Sequence, residues 1–280
     1  MKKFENIIIV TDLDGTFLDT SERVPERNRE AVEYFKANGG RFTVATGRAA
    51  LHVQRSIPDV AELVNFPAVT CNGACLYDFQ TERAPVLYTL TYEDVCDIIE
   101  YVREHYPMAG IRAASPDYGF VTTPDDTQNF HVAHDMKKYD GMHILVAPTE
   151  KWESETIMKV VVRIDGKLVV GAMNAMKEHF GDRFFIAQSW PTTIDIQSRG
   201  VNKGITLKKY VRENFGDGVT VYACGDYIND LELLAAADVA VCPSSAHEAV
   251  KAVSDLCLCS NNEGLIGDLV EYIENKNGTV

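Results

Sequence analysis

The amino-acid sequence predicts an α/β protein in which a doubly wound parallel sheet is interrupted by an inserted α+β domain. Two observations support this fold class. Short apolar runs alternate with amphipathic stretches at both ends of the chain, which is the pattern of βαβ units. Between them the rhythm changes to grouped strands and helices around a polar, turn-rich stretch. We therefore predict a core formed by residues 1–82 and 190–280 and an inserted domain at 83–189.

The N-terminal part of the chain predicts three strands separated by helices. A proline lies near the start of the first helix and a Gly-Gly pair follows its end, the usual asymmetry of helix termini. The turn pair Asn72-Gly73 closes the third strand. The predicted elements are, in order, a strand at Ile7–Thr11, a helix at 25–38, a strand at 41–45, a helix beginning near Arg48 and a strand at 66–71.

The same alternation returns in the C-terminal part, and its short units are expected to extend the same sheet. The predicted strands are 192–196, 219–224, 238–242 and 255–259, and the predicted helices are 202–214, 230–237, 246–252 and 264–274.

The sequence of the inserted domain indicates its elements and its function less clearly. Its predicted elements are strands at 86–90, 156–164 and 183–188, helices at Tyr92–His105 and 167–180, and a turn-rich polar stretch at 115–139. A polar cluster in that stretch is interpreted either as a solvated face or as a surface that contacts substrate. A metal pair is the weaker reading, because the two histidines have no companion ligand at a matching spacing. The cluster is His131, His134, Asp135, Lys137, Lys138 and Tyr139.

Charge and composition exclude several classes of protein. The formal net charge of −14 disfavours nucleic acid and anionic membranes as partners, since both are bound by lysine and arginine. The apolar run at the N-terminus ends after four residues at Asp12, which is too short for a signal peptide or a membrane span. Seven cysteines without a CxxC pair indicate buried thiols of a reducing compartment. We predict a cytoplasmic protein, despite a glycosylation sequon at Asn277-Gly278-Thr279.

The strongest local signal is Asp12-Leu13-Asp14-Gly15-Thr16, which directly follows the first strand. Ligands of open parallel sheets bind beyond the carboxyl ends of the strands, where this loop must lie. Two carboxylates separated by one residue are able to face the same crevice where the chain turns. A solvated Asp-Gly turn is the alternative reading of this motif.

Three further segments carry polar side chains near the same predicted edge. Thr46-Gly47-Arg48 offers a hydroxyl and a helix start, which suit an anion. The stretch from Gly225 to Asp230 adds two carboxylates and the amide of Asn229, although helix capping accounts for one of the acids. Lys203 begins another predicted helix, where a cation is mildly unfavourable unless an anion lies against it.

Together these segments predict a site for phosphoryl transfer. Two bare charges about 4 Å apart repel by roughly 4 kcal/mol at an effective dielectric near 20, so several carboxylates in one crevice require a cation. An all-oxygen ligand set that also faces a phosphate favours Mg²⁺. Lys203 supplies the remaining positive charge beside Asp12, Asp14, Asp226 and Asp230.

In this order the four segments resemble the motifs of the haloacid dehalogenase superfamily of phosphohydrolases, and the insert resembles the large α+β cap of its Cof-type subfamily. The resemblance covers essentially the whole chain and implies a Rossmann-like core with an inserted cap that sets substrate specificity. It implies a Mg²⁺-dependent phosphatase acting on a small phosphomonoester, by default a sugar phosphate, through an aspartyl phosphate. The loop Cys242-Pro243-Ser244-Ser245 departs from the usual family pattern, which bears on substrate choice.

The resemblance also implies a role for each matching residue. Asp12 is the nucleophile, and Asp14 is the general acid and base whose carbonyl contacts the metal. Asp226 binds the metal directly, whereas Asp230 acts through water or neighbouring groups. The remaining residues bind the phosphoryl group or the substrate, and they are Thr46, Gly47, Lys203, Asn72 and Asn229.

Three alternatives stay open at the level of sequence. A phosphomutase would use the same nucleophile but pass the phosphoryl group to a second sugar hydroxyl. A regulatory protein would bind phosphate without turning it over, although all the motif residues are present. A dinucleotide-binding oxidoreductase is disfavoured because the first strand-helix turn lacks GxGxxG. The expected partner is a small phosphorylated metabolite, and the chain is expected to be a monomer or a weak dimer.

Overall fold

The computed structural model of the chain describes residues 2–277. Contacts divide these residues into two compact units. Unit 1 comprises residues 2–48, 53–85 and 202–277, and unit 2 comprises 49–52 and 86–201. The sequon at 277–279 runs beyond the described residues. No helix within residues 2–277 has the length and apolar character needed to span a bilayer.

Over this described range the chain forms fourteen strands and ten α-helices joined by short turns. The strands are β1 (Ile7–Thr11), β2 (Arg41–Val44), β3 (Ala68–Thr70), β4 (Cys75–Asp78), β5 (Arg83–Leu87), β6 (Gly110–Ala114), β7 (Val121–Thr122), β8 (Leu145–Val146), β9 (Lys159–Arg163), β10 (Phe184–Trp190), β11 (Thr193–Ser198), β12 (Thr220–Cys224), β13 (Val239–Pro243) and β14 (Leu256–Leu258). The helices are α1 (Glu26–Ala37), α2 (Ala50–Ser56), α3 (Val60–Leu63), α4 (Tyr92–His105), α5 (Phe130–Lys138), α6 (Val169–Phe180), α7 (Lys203–Phe215), α8 (Leu231–Ala235), α9 (Glu248–Lys251) and α10 (Leu265–Asn277).

Unit 1 is built on a five-stranded parallel sheet with the order β14-β13-β12-β1-β2. The central strand β1 is an uninterrupted apolar run, and its Ile8, Ile9 and Val10 are fully buried, as expected for a strand covered by helices on both faces. The chain leaves β1 toward β2 on one side and later returns to β12 on the other. Thr11 is in register with Val44 and Cys224, so the loops after these three strands meet at one edge.

The strand predicted at 66–71 is shorter in the structure and lies at the margin of the parallel sheet. It is β3, which pairs antiparallel with β4 in a three-stranded sheet that also contains β5. A single parallel bridge between Ala45 and Val69 links β3 to the end of β2. The turn Asn72-Gly73 is therefore brought close to the carboxyl end of β2.

Unit 2 contains a six-stranded sheet with the order β10-β11-β9-β6-β7-β8, antiparallel except between β7 and β8. One face of this sheet joins α4 and α6 in a continuous apolar cluster. Helix α4 begins at Tyr92 because the hydroxyl of Thr91 accepts a hydrogen bond from the amide of Asp94, which caps the helix.

Two predictions about this region were wrong. The strand predicted at 192–196 was assigned to the core sheet, yet β11 pairs with β9 and β10 in unit 2. Its alternating pattern fits an antiparallel strand with one apolar face better than a doubly covered parallel one. The stretch predicted as turns at 115–139 contains β7 and α5. Helix α5 lacks a clear apolar face in the sequence, because its buried side chains are Val132 and the charged Asp135.

Candidate active site

The loop after β1 is a wide turn held by its own backbone. The amide of Phe17 donates to the carbonyl of Asp12 at 3.2 Å, and the amide of Leu18 donates to the carbonyl of Leu13 at 2.9 Å. Leu13 and Phe17 are fully buried, which anchors the loop in the core. The polar residues between these anchors are thereby held at the carboxyl edge of the sheet.

Gly15 allows this loop to approach the loop after β12. Its φ is +82°, and a Cβ atom built there would lie 2.5 Å from Oδ2 of Asp226. A side chain at this position would therefore strike the carboxylate. The next residue, Thr16, donates its hydroxyl to Oδ1 of Asp226 at 2.7 Å. The loop after β1 thus positions Asp226, which lies in the loop after β12.

Lys203 lies at the centre of the site. It is the first residue of α7, whose start is capped by the side chain of Asn202, and only 1% of it is exposed. Its Nζ donates to Oδ1 of Asp12 and to Oδ1 of Asp230, both at 2.6 Å. The unfavourable position of a lysine at a helix start is therefore offset by two carboxylates.

Asp230 is more tightly held than Asp12. It is fully buried, and its Oδ2 accepts hydrogen bonds from the amides of Asp226 and Tyr227 at 3.1 Å. These bonds close the turn after β12. Oδ2 of Asp12, by contrast, accepts no hydrogen bond from any residue between 2 and 277.

Three of the four predicted acids form a cluster with the spacing of a cation site. One carboxylate oxygen from each of Asp12, Asp226 and Asp230 lies within 4.8 Å of the others. The donors are all oxygen, and the close approach permitted at Gly15 holds Asp226 in place. This donor set fits a hard divalent cation such as Mg²⁺. The side chain of Asp14 is outside the cluster.

Burial and mutual repulsion disfavour the ionised forms of the clustered carboxylates. Burial, followed by the charge of Asp230, raises the pKa of Asp12 well above its usual range. The same two causes raise the pKa of Asp226 to about 6. Burial alone would lower the pKa of Lys203, but Asp12 and Asp230 reverse its effect and the pKa rises. Lys203 lowers the pKa of Asp12, as expected, but burial and the charge of Asp230 raise it by more.

The segment after β2 brings together three of the five residues predicted to bind phosphate or substrate. Thr46 is 1% exposed, and its carbonyl accepts from the amide of Asn72 at 3.0 Å. A Cβ atom at Gly47 would lie 3.0 Å from Oδ1 of Asn72. The helix expected near Arg48 begins only at Ala50, so Gly47 and Arg48 lie in a bend before it.

The Asn72-Gly73 turn also contacts the start of α7. The carbonyl of Gly73 accepts from the hydroxyl of Thr206 at 2.8 Å, and Asn72 has a φ of +53° with 4% of its surface exposed. This turn therefore joins the loop after β2 to the helix that carries Lys203. Asn229 lies half-buried in the turn before Asp230, and its binding role stays a prediction.

Sequence reasoning missed Arg48 as a member of the site. Its Nε donates to Oδ2 of Asp14 at 2.8 Å, and a terminal nitrogen donates to Oδ1 of the same carboxylate. A second ion pair reaches Glu22 at 3.5 Å. The available signal was its place two residues after Thr46, whose hydroxyl accepts from the amide of Arg48 at 3.1 Å.

The polar cluster predicted in the insert is divided by the structure. His134, Lys137 and Lys138 are exposed, in agreement with a solvated face. Asp135 is buried and accepts hydrogen bonds from two arginines. Trp190 is 60% exposed at the end of β10.

Comparisons with known proteins identify the family of the chain. The haloacid dehalogenase-like hydrolase family matches residues 9–269. The pyridoxal phosphate phosphatase YbhA of Escherichia coli is 23% identical over 278 residues, covering 94% of this chain and 97% of its own. The 5-amino-6-(5-phospho-D-ribitylamino)uracil phosphatase YcsE of Bacillus subtilis is 22% identical over 281 residues, covering 95% and 94%.

A solved structure supports the fold over nearly the whole chain. SMU.1108c from Streptococcus mutans aligns with a TM-score of 0.81 at 22% identity, covering 97% of this chain and 98% of that one. The matched family, the phosphatase relatives and the shared fold agree with one another. This chain belongs to the haloacid dehalogenase-like hydrolases, as a phosphatase.

Proposed function

We propose that this phosphatase hydrolyses a small phosphomonoester, with a sugar phosphate as the expected class, through a phosphorylated Asp12. The observation that carries the proposal is the difference between the two carboxylates that contact Lys203. Both oxygens of Asp230 are occupied by hydrogen bonds, whereas Oδ2 of Asp12 accepts none within residues 2–277. Asp12 therefore has an oxygen available for attack on phosphorus.

The residues that would hold Mg²⁺ are Asp12 and Asp226 through their carboxylates and Asp14 through its carbonyl. When bound, the ion supplies positive charge that neutralises the carboxylates and the phosphate and polarises the phosphoryl oxygens. The raised pKa values of Asp12 and Asp226 support this assignment, because both arise from burial and then from the charge of Asp230, and a bound cation would offset both causes. Asp230 is committed to Lys203 and two amides, so we assign it an orienting role.

The proposed chemistry has two balanced steps. In the first, Oδ2 of Asp12 forms a bond to phosphorus while the bond from phosphorus to the ester oxygen breaks, and Asp14 gives its proton to that oxygen. In the second, water attacks phosphorus, Asp14 takes a proton from it, and the bond to Asp12 breaks. Thr46, the Gly47 amide and Lys203 stabilise the charge of the transferring group.

Asp14 must release Arg48 from one oxygen before it acts as an acid. In the structure both of its oxygens accept hydrogen bonds from the guanidinium, so this arrangement is suited to the carboxylate form. We assign Arg48 the role of positioning Asp14 between the two steps.

Two observations support the expected substrate class and location. The Bacillus relative is named for a substrate whose phosphate is on a ribityl chain, a polyhydroxylated alcohol. All seven cysteines are free thiols, which supports a reducing compartment and the proposed cytoplasmic location.

The test is release of inorganic phosphate from a panel of phosphomonoesters. We expect turnover with Mg²⁺, loss of turnover with EDTA, and restoration when Mg²⁺ is returned. Full turnover in metal-free enzyme would contradict the proposed mechanism. Appearance of an isomeric sugar phosphate without free phosphate would instead identify a phosphomutase.

A further inference from the structure

Two buried asparagine side chains of unit 1 contact the backbone of the loop after β1. Asn28 lies in the first turn of α1 and is fully buried, and Asn261 lies in the turn before α10 with 5% of its surface exposed. Burying a carboxamide is costly unless its donor and its acceptor both find partners. The hydrogen bonds of these two side chains therefore show which parts of the fold they support.

Asn28 joins the loop after β1 to the start of α10. Its Nδ2 donates to the carbonyl of Phe17 at 3.0 Å. Its Oδ1 accepts from the amides of Ile266 at 2.9 Å and Gly267 at 3.3 Å. These two amides belong to the first turn of α10, where an amide has no partner within its own helix. The acceptor end of Asn28 thus caps a helix, and its donor end holds the loop.

Asn261 joins the same loop to the segment after β13. Its Nδ2 donates to the carbonyl of Leu18 at 2.8 Å, and its Oδ1 accepts from the hydroxyl of Ser245 at 3.3 Å. Two residues further along, the amide of His247 donates to the carbonyl of Asp226 at 2.9 Å. The segment that contacts Asn261 therefore also contacts the loop after β12.

The two carbonyls held by these side chains belong to consecutive peptide groups that close the wide turn after β1. The peptide between Phe17 and Leu18 accepts from Asn28 through its carbonyl and donates to the carbonyl of Leu13 through its N–H at 2.9 Å. The next peptide accepts from Asn261. Because a peptide group is planar, fixing its carbonyl also fixes the direction of its N–H. The bond that closes the turn is thereby set by a side chain from another element.

The turn needs this support because its own backbone is irregular. Asp14 has an extended conformation with a ψ of 116°, and Gly15 has a φ of +82°, so the segment does not continue as a helix. Asp12 lies at the start of this turn, and its carbonyl accepts from the amide of Phe17 at 3.2 Å. Attack on phosphorus requires close approach and alignment of the reacting atoms, and a misplacement of about 1 Å costs about a hundredfold in rate.

We propose that Asn28 and Asn261 are positioning residues for the phosphatase reaction. By holding the carbonyls of Phe17 and Leu18, they keep the turn in the conformation that presents Asp12 to phosphorus. The inference rests on the proposed function in one respect, the role of Asp12 as the nucleophile. Both asparagines act through the backbone of the loop, and we assign them no contact with the reacting atoms.

The test removes the donor of each side chain and keeps its size and its acceptor, with Asn28→Asp and Asn261→Asp. Asn65→Asp is the matched control in the same unit. Asn65 also bridges two backbone groups, since it accepts from the amide of Phe42 at 2.8 Å and donates to the carbonyl of Gly40 at 3.0 Å, and neither group belongs to the loop after β1. Asn261→Ala loses the same donor without adding a charge, so it provides the test if a buried carboxylate prevents folding.

We expect kcat on para-nitrophenyl phosphate to fall about tenfold to a hundredfold in the variants at positions 28 and 261. KM should stay within about twofold of the wild-type value, because ground-state binding is retained. Asn65→Asp should keep the kcat of the wild type. Hydrogen-deuterium exchange should become faster in the peptide that contains residues 12–18 in the variants at 28 and 261, and not in the control. Thermal unfolding of every variant establishes that it is folded.

A purely structural role for the two asparagines would lower the unfolding temperature and leave kcat of the folded variants unchanged. That result would overturn the proposal, and so would an equal loss of kcat in Asn65→Asp. Turnover retained in Asp12→Asn would instead show that the proposed nucleophile is wrong. Hydrogen exchange would still decide whether the two amides hold the loop, and unchanged exchange in the folded variants would overturn that part as well.

Discussion

Arg48 holds the carboxylate of Asp14 through two hydrogen bonds, one from Nε at 2.8 Å and one from a terminal nitrogen. The carboxylate is 40% exposed and the guanidinium 12%, so the arginine is the more deeply fixed partner. The acid expected to move protons is thus oriented by a residue from a different loop. The exposure of Asp14 leaves one side of it accessible to substrate and water.

We expect Arg48→Met to lower kcat about tenfold to a hundredfold on an alkyl phosphate, because a free Asp14 samples rotamers from which proton transfer is poor. The loss should be smaller for para-nitrophenyl phosphate, whose leaving group needs no proton. Arg48→Lys keeps the positive charge but cannot make both hydrogen bonds of the guanidinium, so its kcat should lie between those of the wild type and Arg48→Met. Steady-state kinetics on both esters provide the measurement.

Arg29→Met is the matched control for this variant. It also breaks a bidentate arginine-aspartate pair in unit 1, with Asp59, but that pair contains none of the residues assigned to the site. The interpretation would be wrong if both variants lost activity equally, or if the loss at Arg48 were the same for the two esters.

The second prediction concerns Gly15→Ala. A methyl group there would lie 2.5 Å from Oδ2 of Asp226, in addition to the strain of a positive φ. Gly216→Ala is a close control, since its φ is +61° and nothing lies within 4 Å of the added methyl. The positive φ costs an L residue about 1–3 kcal/mol, so the free energy of unfolding should fall in both variants.

Only Gly15→Ala should also raise the Mg²⁺ concentration needed for half-maximal activity. A metal titration of the two variants beside the wild type separates displacement of Asp226 from simple backbone strain. Equal metal dependence in both would show that Gly15 does not serve the site.

The third prediction separates Asp226 from Asp230. Asp226→Asn should weaken the response to Mg²⁺ while leaving the metal-free protein as stable as the wild type or more so, because one of three crowded carboxylates is removed. Asp230→Asn should destabilise the fold by about 3 kcal/mol, since it leaves buried Lys203 with one carboxylate instead of two. Both variants are tested by chemical denaturation without metal and by measuring activity as a function of Mg²⁺ concentration. The reverse ranking in either measurement would contradict the assigned roles.

The sequence was informative where local pattern and topology act together. Asp12, Lys203, Asp226 and Asp230 each follow a strand or begin a helix, and a parallel sheet brings such positions to one edge. The structure shows these four in contact or within one cluster. Their chemical roles remain proposals that the variants described here test.

The sequence was less informative where long-range pairing decides the outcome. The residues of β11 were grouped with the C-terminal βα units that follow them in the chain, yet they pair with β9 and β10 in unit 2. Helix α5 was missed because the burial of Asp135 depends on Arg112 and Arg163, distant in sequence. Arg48 was overlooked for the same reason, since its partner Asp14 is in another loop.

The last prediction distinguishes the two carboxylates of the first loop. Asp12→Asn should give no covalent intermediate and essentially no turnover, because the attacking oxygen is lost. Asp14→Asn should still be phosphorylated by para-nitrophenyl phosphate, but water would lack its base in the second step. This variant should therefore accumulate phosphoenzyme, seen by intact mass spectrometry as an increase of about 80 Da that marks a covalent intermediate. The added mass should map to the peptide that contains position 12, and mapping to Asp226 or to a serine would exclude Asp12 as the nucleophile.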